Sequence, residues 1–421
     1  MKTATRILLI VAVAVTAPAQ SKPGDFTLDP LPAQQQRVSK MRSAARNAQF
    51  QAVRACGTDI CDTNMPHACI EVSFPETGWR TCISNQGRRG LAIGPTDLRR
   101  GPNAPWMRVL REASIADIFV PYHFLPFRLY DNQAFTLASM LEVNQEDAGP
   151  HGELVTLSGQ TRPRVVSELR DRGVAWICKE RIHTVRRGQE LVLWGVQDAA
   201  NYDYIIEFRL RDDGSIGFRL GASGYNNPFA APISTTDAHM HNVLWRVDID
   251  LNGAGGDSAR LVTHEEGAQG PLFSEDHEVP FNNGREGLAV WEPERFLTIA
   301  VEDETVNSYG NPIGYAIRGG PEGLARHLGQ EATLTRQEKF TKSDFAVTRY
   351  SKVERDEFFD NAGVRYLDPD EYLLGERGFA GRGVSNGESV ENADIVLWHR
   401  TSTHHDPHDE DHAPGDPKNL M

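Results

Sequence analysis

Two histidines one residue apart, His239 and His241, form the pattern in this chain that is best suited to binding a metal ion. On a β-strand, side chains at positions i and i+2 project from the same face, so both imidazoles would point to one side. Imidazole nitrogens bind copper, zinc, nickel and iron. The alternative is a polar strand face without a metal, and the pair alone does not decide between the two.

A tyrosine precedes these histidines by 37 residues: Tyr202 lies in the segment Asn201-Tyr202-Asp203-Tyr204. Between Ile206 and Leu220, apolar and polar residues alternate on both sides of an Asp213-Gly214 turn, a pattern that predicts a β-hairpin. Tyr202 is therefore expected near the start of a long, half-buried strand. The alternative role for a strand tyrosine is core packing with a hydrogen-bonded hydroxyl.

The C-terminal segment offers several candidates for a further metal ligand. A strand is predicted at Asp394–Trp398, and a histidine- and acid-rich stretch follows it. A stretch of this composition can also be an adventitious metal-binding tail, so the residues alone leave the third ligand open. The candidates are His399, His404, His405, His408 and His412.

Composition excludes one class of function and favours one fold class. The formal net charge of −14 argues against nucleic-acid binding, which needs basic patches, and is compatible with cationic small-molecule substrates. Short alternating runs separated by Gly, Pro, Asn-Gly and Asp-Gly dominate from about residue 70 onward. They predict an all-β sandwich, a class in which one domain can be this large.

The N-terminus predicts export. Residues 1–19 resemble a signal peptide, with Lys2 and Arg6, an apolar run over Ile7–Val15 and small residues at Ala17-Pro18-Ala19. The apolar run is too short to span a membrane, so we expect a secreted or periplasmic protein without a membrane span. Residues 20–68 are expected to form an arm or linker in which the cysteine cluster begins.

Four of the five cysteines cluster within a short stretch: Cys56, Cys61, Cys69 and Cys82. In an oxidising compartment they predict two disulfides with three possible connectivities, and a zinc site is the alternative. Cys178 is left over and is expected to be a buried free thiol.

Taken in order from about Trp79 to Pro414, these motifs resemble the copper amine oxidases. In that family, bound copper and oxygen convert one tyrosine to the redox cofactor topaquinone, and Tyr202 matches that tyrosine. The resemblance implies that residues 69–421 form the family's large antiparallel β-supersandwich. It also implies a homodimer that oxidises a primary amine with oxygen, producing an aldehyde, ammonia and hydrogen peroxide.

The same resemblance implies two metal sites. Copper would be bound by His239, His241 and His405; the last lies seven residues beyond Trp398, with His404 as the rival. A second set resembles a peripheral calcium site, whose carboxylate and carbonyl oxygens are the ligands that calcium prefers. That set comprises Asp248, Ile249, Asp250, Asp394 and Ile395.

Further catalytic roles also follow from the resemblance. Tyr122, at the end of Ser114–Tyr122, is similar to a tyrosine whose hydroxyl bonds the cofactor. Asp131 is similar to the aspartate that removes the α-proton of the substrate as general base. Asn201 and Asp203 would flank the cofactor ring and position it.

The chain also departs from the family pattern. The loop between Tyr122 and Asp131 is shorter, Asp198 replaces a threonine four residues before the cofactor tyrosine, and the small preceding domains are not matched. The chain thus looks like a minimal catalytic domain. Two alternatives remain: a degenerate member that keeps fold and metal without turnover, and a structural metal-binding β-sandwich module. A hydrolase has little support, because His264 lacks a second histidine at zincin spacing and no Gly-x-Ser-x-Gly occurs.

Overall fold

Antiparallel β-strands make up nearly all of the structure. The computed structural model describes residues 53–120, 129–130, 139–179, 184–199, 202–224, 239–267, 274–292, 295, 298–307, 310–317, 343–350 and 387–405. All of them fall within the unit Gln51–Met421. The α-helical content of this part is one turn, α1 (Gln145–Ala148), which Asn144 caps by accepting from the backbone of Glu146 and Asp147. Short 3₁₀ turns occur at Gly87–Arg89 and Phe281–Asn283.

The first sheet contains ten of the described strands. They are β1 (Arg54–Ala55), β2 (His67–Ser73), β3 (Thr77–Asn85), β4 (Leu91–Arg100), β5 (Met107–Val120), β6 (Leu129–Tyr130), β13 (His239–Ile249), β16 (Gly287–Ala289), β19 (Phe345–Arg349) and β20 (Ile395–His405). Their spatial order is β1-β2-β3-β4-β5-β13-β20-β19-β16, with β6 paired to β5. Strand β13 is therefore an interior strand, and its neighbour β20 comes from the C-terminal part of the chain.

Two smaller sheets complete the described part. The second sheet contains β7 (Ser139–Met140), β8 (Gly152–Val155), β9 (Val165–Cys178), β10 (Thr184–Ala199), β11 (Tyr202–Arg211) and β12 (Ile216–Gly224). Its order is β12-β11-β10-β9-β8, with β7 paired to β10. The third sheet contains β14 (Asp257–Glu266), β15 (Ser274–Pro280), β17 (Thr298–Val306) and β18 (Pro312–Ile317), in the order β15-β14-β17-β18.

The β11–β12 hairpin forms where the alternating pattern predicts it. Strand pairing runs from Tyr202 opposite Gly224 to Leu210 opposite Ile216. The turn uses Gly214 at φ +90°, a left-handed conformation that glycine adopts without strain. The Asp213 carboxylate accepts a bond from the Ser215 backbone N–H at 2.9 Å, which is a common turn-stabilising contact.

Aromatic contacts join the first and second sheets into a sandwich. The ring of Trp245 on β13 lies 5.9 Å from that of Phe208 on β11 and 5.6 Å from that of Phe218 on β12. All three belong to, or pack against, one hydrophobic core cluster. Burial of such large rings between facing sheets is a main source of sandwich stability. The prediction of an all-β antiparallel sandwich is confirmed.

The clustered cysteines form disulfides between Cys56 and Cys69 and between Cys61 and Cys82. This pairing selects one of the three connectivities and rules out a zinc site built from the four thiols. Cys178 is free but only half-buried, so the expectation of a buried thiol is wrong. It ends β9 in a stretch whose preceding residues Val174–Ile177 are exposed.

The arm was predicted to cover residues 20–68. Strand β1 lies within those residues and pairs with β2 (Arg54 opposite Glu71), so the first sheet includes residues on both sides of the predicted boundary. The division into signal peptide, arm and catalytic domain stays a prediction. In the described part of the chain, no helix has both the length and the apolar character needed to cross a membrane.

Candidate metal centre

The centre lies where β11 of the second sheet faces β13 of the first. Alternation directs His239 and His241 into the sandwich on the same side as Val243 and Trp245, which belong to the core. On β11, the same rule buries Tyr202. The exposed fractions are 4% for His239, 1% for His241 and 2% for Tyr202, so this polar group is enclosed by the core.

Tyr202 contacts both imidazoles. Its hydroxyl lies 2.9 Å from Nε2 of His239, within hydrogen-bond distance. Its ring centroid lies 4.8 Å from that of His241 in an edge-on arrangement, and the two imidazole centroids are also 4.8 Å apart. The structure therefore brings the sequence-predicted tyrosine and two of the predicted histidines together, although 37 residues separate Tyr202 from His239.

A second tyrosine, to which the sequence patterns assigned no role, belongs to the same centre. The hydroxyl of Tyr204 lies 2.7 Å from Nδ1 of His241, and Tyr204 is fully buried. A signal was present in the sequence. Tyr204 follows Tyr202 by two residues just as His241 follows His239. The sequence therefore contains two Tyr–His pairs of equal separation, from which a second contact could have been predicted.

The backbone of β20 brings the predicted third ligand to the register of the first. His405 is the direct antiparallel partner of His239, whereas His404 is the partner of Met240. Strands β13 and β20 pair without interruption as far as Ile249 opposite Ile395.

The remaining predicted catalytic residues are described in part. Tyr122, Asp131 and Asn201 lie outside the described residues. Asp203 projects to the side of β11 away from the buried face and is the direct partner of Asp198 on β10. Desolvation, followed by the neighbouring Asp198 carboxylate, raises the pKa of Asp203 above its ordinary value. The aspartate at position 198 thus sets two carboxyls opposite each other, next to the pairing of Tyr202 with Ala199.

A carboxylate cluster lies at the far end of β13 from the histidines. One oxygen each of Asp248, Asp250 and Asp394 is buried without a hydrogen-bond partner. Burial raises the pKa of Asp248 to about 7, with Asp394 adding to the effect and Arg246 opposing it. Burial likewise raises the pKa of Asp250 and of Asp394. Unpaired buried carboxylate oxygens are costly, and a bound cation is one way to satisfy them.

Another group of potential ligand atoms in the described part of the chain is more closely spaced, but a disulfide excludes it as a metal site. In the described segments, one group of three ligand atoms falls within 4.8 Å of one another: Asp59, Cys61 and His67. Because Cys61 is oxidised to a disulfide with Cys82, its sulfur is not a thiolate and cannot act as a metal ligand in this form. The carboxylates of Asp248, Asp250 and Asp394 are spaced more widely than this limit.

Fold and site together define a class: an antiparallel β-sandwich protein with a pair of buried histidines packed against a tyrosine. Both imidazoles suit copper, and the Tyr202 hydroxyl lies beside one of the nitrogens that would bind it. The family model described as copper amine oxidase, enzyme domain, matches residues 171–415. The chain belongs to the copper amine oxidase family.

Individual relatives agree with this assignment. The primary amine oxidase of Klebsiella aerogenes is 22% identical over 364 residues, covering 79% of this chain and 42% of that protein. Primary amine oxidase 1 of Arabidopsis thaliana is 23% identical over 393 residues, covering 79% and 57%. The chain therefore spans about half the length of these curated relatives. The crystal structure of a copper-containing benzylamine oxidase from Hansenula polymorpha matches with a TM-score of 0.58 and 16% identity, covering 87% of this chain and 61% of that one, and supports the fold.

Proposed function

We propose that this protein is a copper- and topaquinone-dependent primary amine oxidase that converts a primary amine and oxygen to an aldehyde, ammonia and hydrogen peroxide. The observation that carries the proposal is the buried contact between the Tyr202 hydroxyl and Nε2 of His239, with His241 against the same ring. A tyrosine hydroxyl beside a nitrogen that would bind copper lies close to where the metal would be, and this proximity supports metal-dependent modification of that tyrosine.

His239, His241 and His405 are the proposed copper ligands. Residues opposite each other in an antiparallel pair belong to the same face of the sheet. By register, His405 shares the face of His239 and His241, whereas His404 shares that of Met240. This relationship supports His405 over its rival.

When present, copper would supply one-electron chemistry with oxygen, and topaquinone an electrophilic carbonyl for the amine. The protein's own residues supply position and proton transfer. Tyr202 is held by burial and by its strand pairing with Ala199 and Gly224. Asp131 is the proposed general base for the α-proton, and Tyr122 the hydroxyl that bonds the cofactor. Asn201 and Asp203 are the chain neighbours of Tyr202, and the side chain of Asp203 lies on the opposite side of β11 from the Tyr202 ring.

A calcium ion at the far end of β13 is a further part of the proposal. The ligands would be the carboxylates of Asp248, Asp250 and Asp394 with the backbone carbonyls of Ile249 and Ile395. The unpartnered oxygens of the three aspartates are donors of the type that a hard cation prefers, and calcium binding would bring these carboxylates closer together than they are in this structure. Such an ion would also offset the mutual repulsion that helps to raise their pKa values.

A homodimer is proposed from the β9–β10 ribbon. Strand β8 pairs with β9 only up to Glu168, and β11 pairs with β10 only from Glu190 onward. The end of β9 and the start of β10 therefore pair only with each other in the described part of the chain and form a two-stranded ribbon that extends beyond the sheet. This ribbon exposes Val174, Trp176, Ile177 and Val185 by 48–55%. A two-stranded ribbon is marginal in water on its own, and an exposed apolar patch marks an interaction surface.

Secretion or periplasmic localisation is proposed from the N-terminal segment and the two disulfides. The segment over residues 1–19 has the charge and hydropathy of an export signal. Disulfides persist in oxidising compartments, and both are present here.

The decisive experiment is reconstitution of the purified protein with copper under air. A visible quinone absorbance and reaction with phenylhydrazine should appear, and Tyr202→Phe should abolish both while still folding. Tyr315→Phe is the matched control, because it removes a hydroxyl remote from the histidines that donates to the Gly214 carbonyl at 3.0 Å. Copper binding without a quinone in the parent protein would instead identify a degenerate, non-catalytic member. A chromophore that survives in Tyr202→Phe would assign the cofactor to another residue.

A further inference from the structure

Two tyrosines of β11 contact two histidines of β13, but at different ring nitrogens. Tyr202 meets His239 at Nε2, whereas Tyr204 meets His241 at Nδ1, at 2.7 Å. The Tyr204 and His241 rings lie 5.8 Å apart at 70°, and their exposed fractions are 0% and 1%. Because the two hydroxyls contact different ring nitrogens, we expect the two tyrosines to have different roles.

An imidazole that binds a metal through one nitrogen carries its proton on the other, and a hydrogen bond to that second nitrogen selects the tautomer and fixes the ring. With Nδ1 of His241 bonded to the Tyr204 hydroxyl, Nε2 is the nitrogen that would bind a metal. Tyr202, by contrast, touches Nε2 of its own partner histidine. Tyr202 is thus on the metal side of the pair, and Tyr204 is behind it.

We propose that Tyr204 is a positioning residue for the copper site: its hydroxyl accepts the Nδ1–H of His241 and holds that ring as an Nε2 donor. The inference rests on the proposed function, since it assumes that His241 binds copper. It assigns a role to a side chain that is neither a metal ligand nor the cofactor precursor.

The surrounding strands make this contact rigid. Tyr204 is paired on both sides, with Gln197 of β10 and Ala222 of β12, so its backbone is fixed within the sheet. His241 is the partner of Thr403 on β20. A hydrogen bond between two fully buried, strand-held groups is electrostatically stronger than one in water, and it can hold a ligand ring near its binding geometry before the metal arrives.

The test uses the purified full chain with copper(II) as the probe. Tyr204→Phe removes the hydroxyl and keeps the ring that fills the core. Its copper dissociation constant, measured by competition with a chelator, should rise by about 10- to 100-fold, the usual cost of losing a partner of a metal-ligating histidine. The nitrogen couplings in the copper(II) electron paramagnetic resonance spectrum should also change, because the His241 ring is no longer held. Tyr315→Phe should change neither quantity.

The outcomes separate this inference from the function on which it rests. A parent protein that binds no copper contradicts the proposed function and the inference together. A parent that binds copper, with Tyr204→Phe matching it in affinity and spectrum, contradicts the inference alone. If Tyr204→Phe does not fold, ¹⁵N spectra of the copper-free parent decide, with the His241 signal assigned from its loss in His241→Gln. A proton on Nδ1 supports the inference, and a proton on Nε2 overturns it.

Discussion

His239 and His405 are direct partners on two antiparallel strands, β13 and β20, which the chain contributes from segments far apart in sequence. The same register pairs His404 with Met240. Because partners across an antiparallel pair share a face of the sheet, we expect only one of the two neighbouring histidines, His405, on the face of His239.

His405→Ala should therefore weaken copper binding by roughly 10-fold or more, since it removes the proposed third ligand, whereas His404→Ala should bind copper as the parent does. Copper content after dialysis and chelator competition measure both. The reverse result, with His404→Ala losing the metal, would mean that the strand register at the end of β20 differs from the one described.

Asp131→Asn should still form the quinone with copper and air, because it leaves Tyr202 and the three proposed copper ligands unchanged. Steady-state turnover of a primary amine should fall by roughly 10²-fold, the usual scale for loss of a general base. Asp276→Asn, which alters an exposed carboxylate bonded to His264 on the third sheet, is the control and should turn over normally. Full activity in Asp131→Asn would exclude it as the base, and Asp198 would be the next candidate.

Calcium should stabilise the protein through the carboxylate cluster at the end of β13. At a calcium concentration about 100 times the dissociation constant, the gain is about 2.7 kcal/mol, which is measurable as a rise in melting temperature over a sample in EDTA. Asp250→Asn should lose most of that rise, because it replaces one of the unpartnered carboxylates with a neutral amide. An equal rise in parent and variant would show that calcium binds elsewhere.

The stability of the calcium-free protein should fall as the pH rises from 5 to 8. Burial raises the pKa of Asp257 from 3.8 to about 8, and Asp303 adds to the shift. The folded state therefore keeps a proton that the unfolded state loses above pH 4. This contribution is complete below the unfolded pKa and is lost as the pH rises through about 8, with a slope of up to about 1.4 kcal/mol per pH unit.

Urea unfolding in EDTA across this pH range measures that slope. Asp257→Asn, which is neutral at every pH, should flatten the decline, whereas Asp276→Asn should leave it unchanged. A decline as steep in Asp257→Asn as in the parent would assign the pH dependence to other groups.

Trp176→Glu should convert the proposed dimer to a monomer, since it places a charge in the exposed apolar patch of the β9–β10 ribbon. Light scattering over a range of concentrations reports the change. Val306→Glu is the control, because Val306 is 57% exposed but lies on β17 of the third sheet. A parent protein that is monomeric at all concentrations would exclude the dimer.

Much of the local structure was predictable from the sequence. The alternation over Ile206–Leu220 fixes the β11–β12 hairpin because successive strand residues face opposite sides and only one side can be buried. The i, i+2 spacing of His239 and His241 likewise predicts two imidazoles on one face, and the structure has them there. The order of such motifs was enough to predict the family and the all-β sandwich.

Contacts between distant segments needed the tertiary structure. Four clustered cysteines allow three pairings. Cys69 and Cys82 are direct partners on β2 and β3, yet each is bonded to a cysteine that lies between β1 and β2, Cys56 and Cys61 respectively. The partial exposure of Cys178 follows from the extension of β9 beyond its sheet, which no local pattern encodes. The contact of Tyr204 with Nδ1 of His241 depends on how β11 lies across β13, and the pairing of His405 with His239 depends on the register of β20. Periodicity specifies which face of a strand is buried, but only the packing of sheets specifies which atoms meet there.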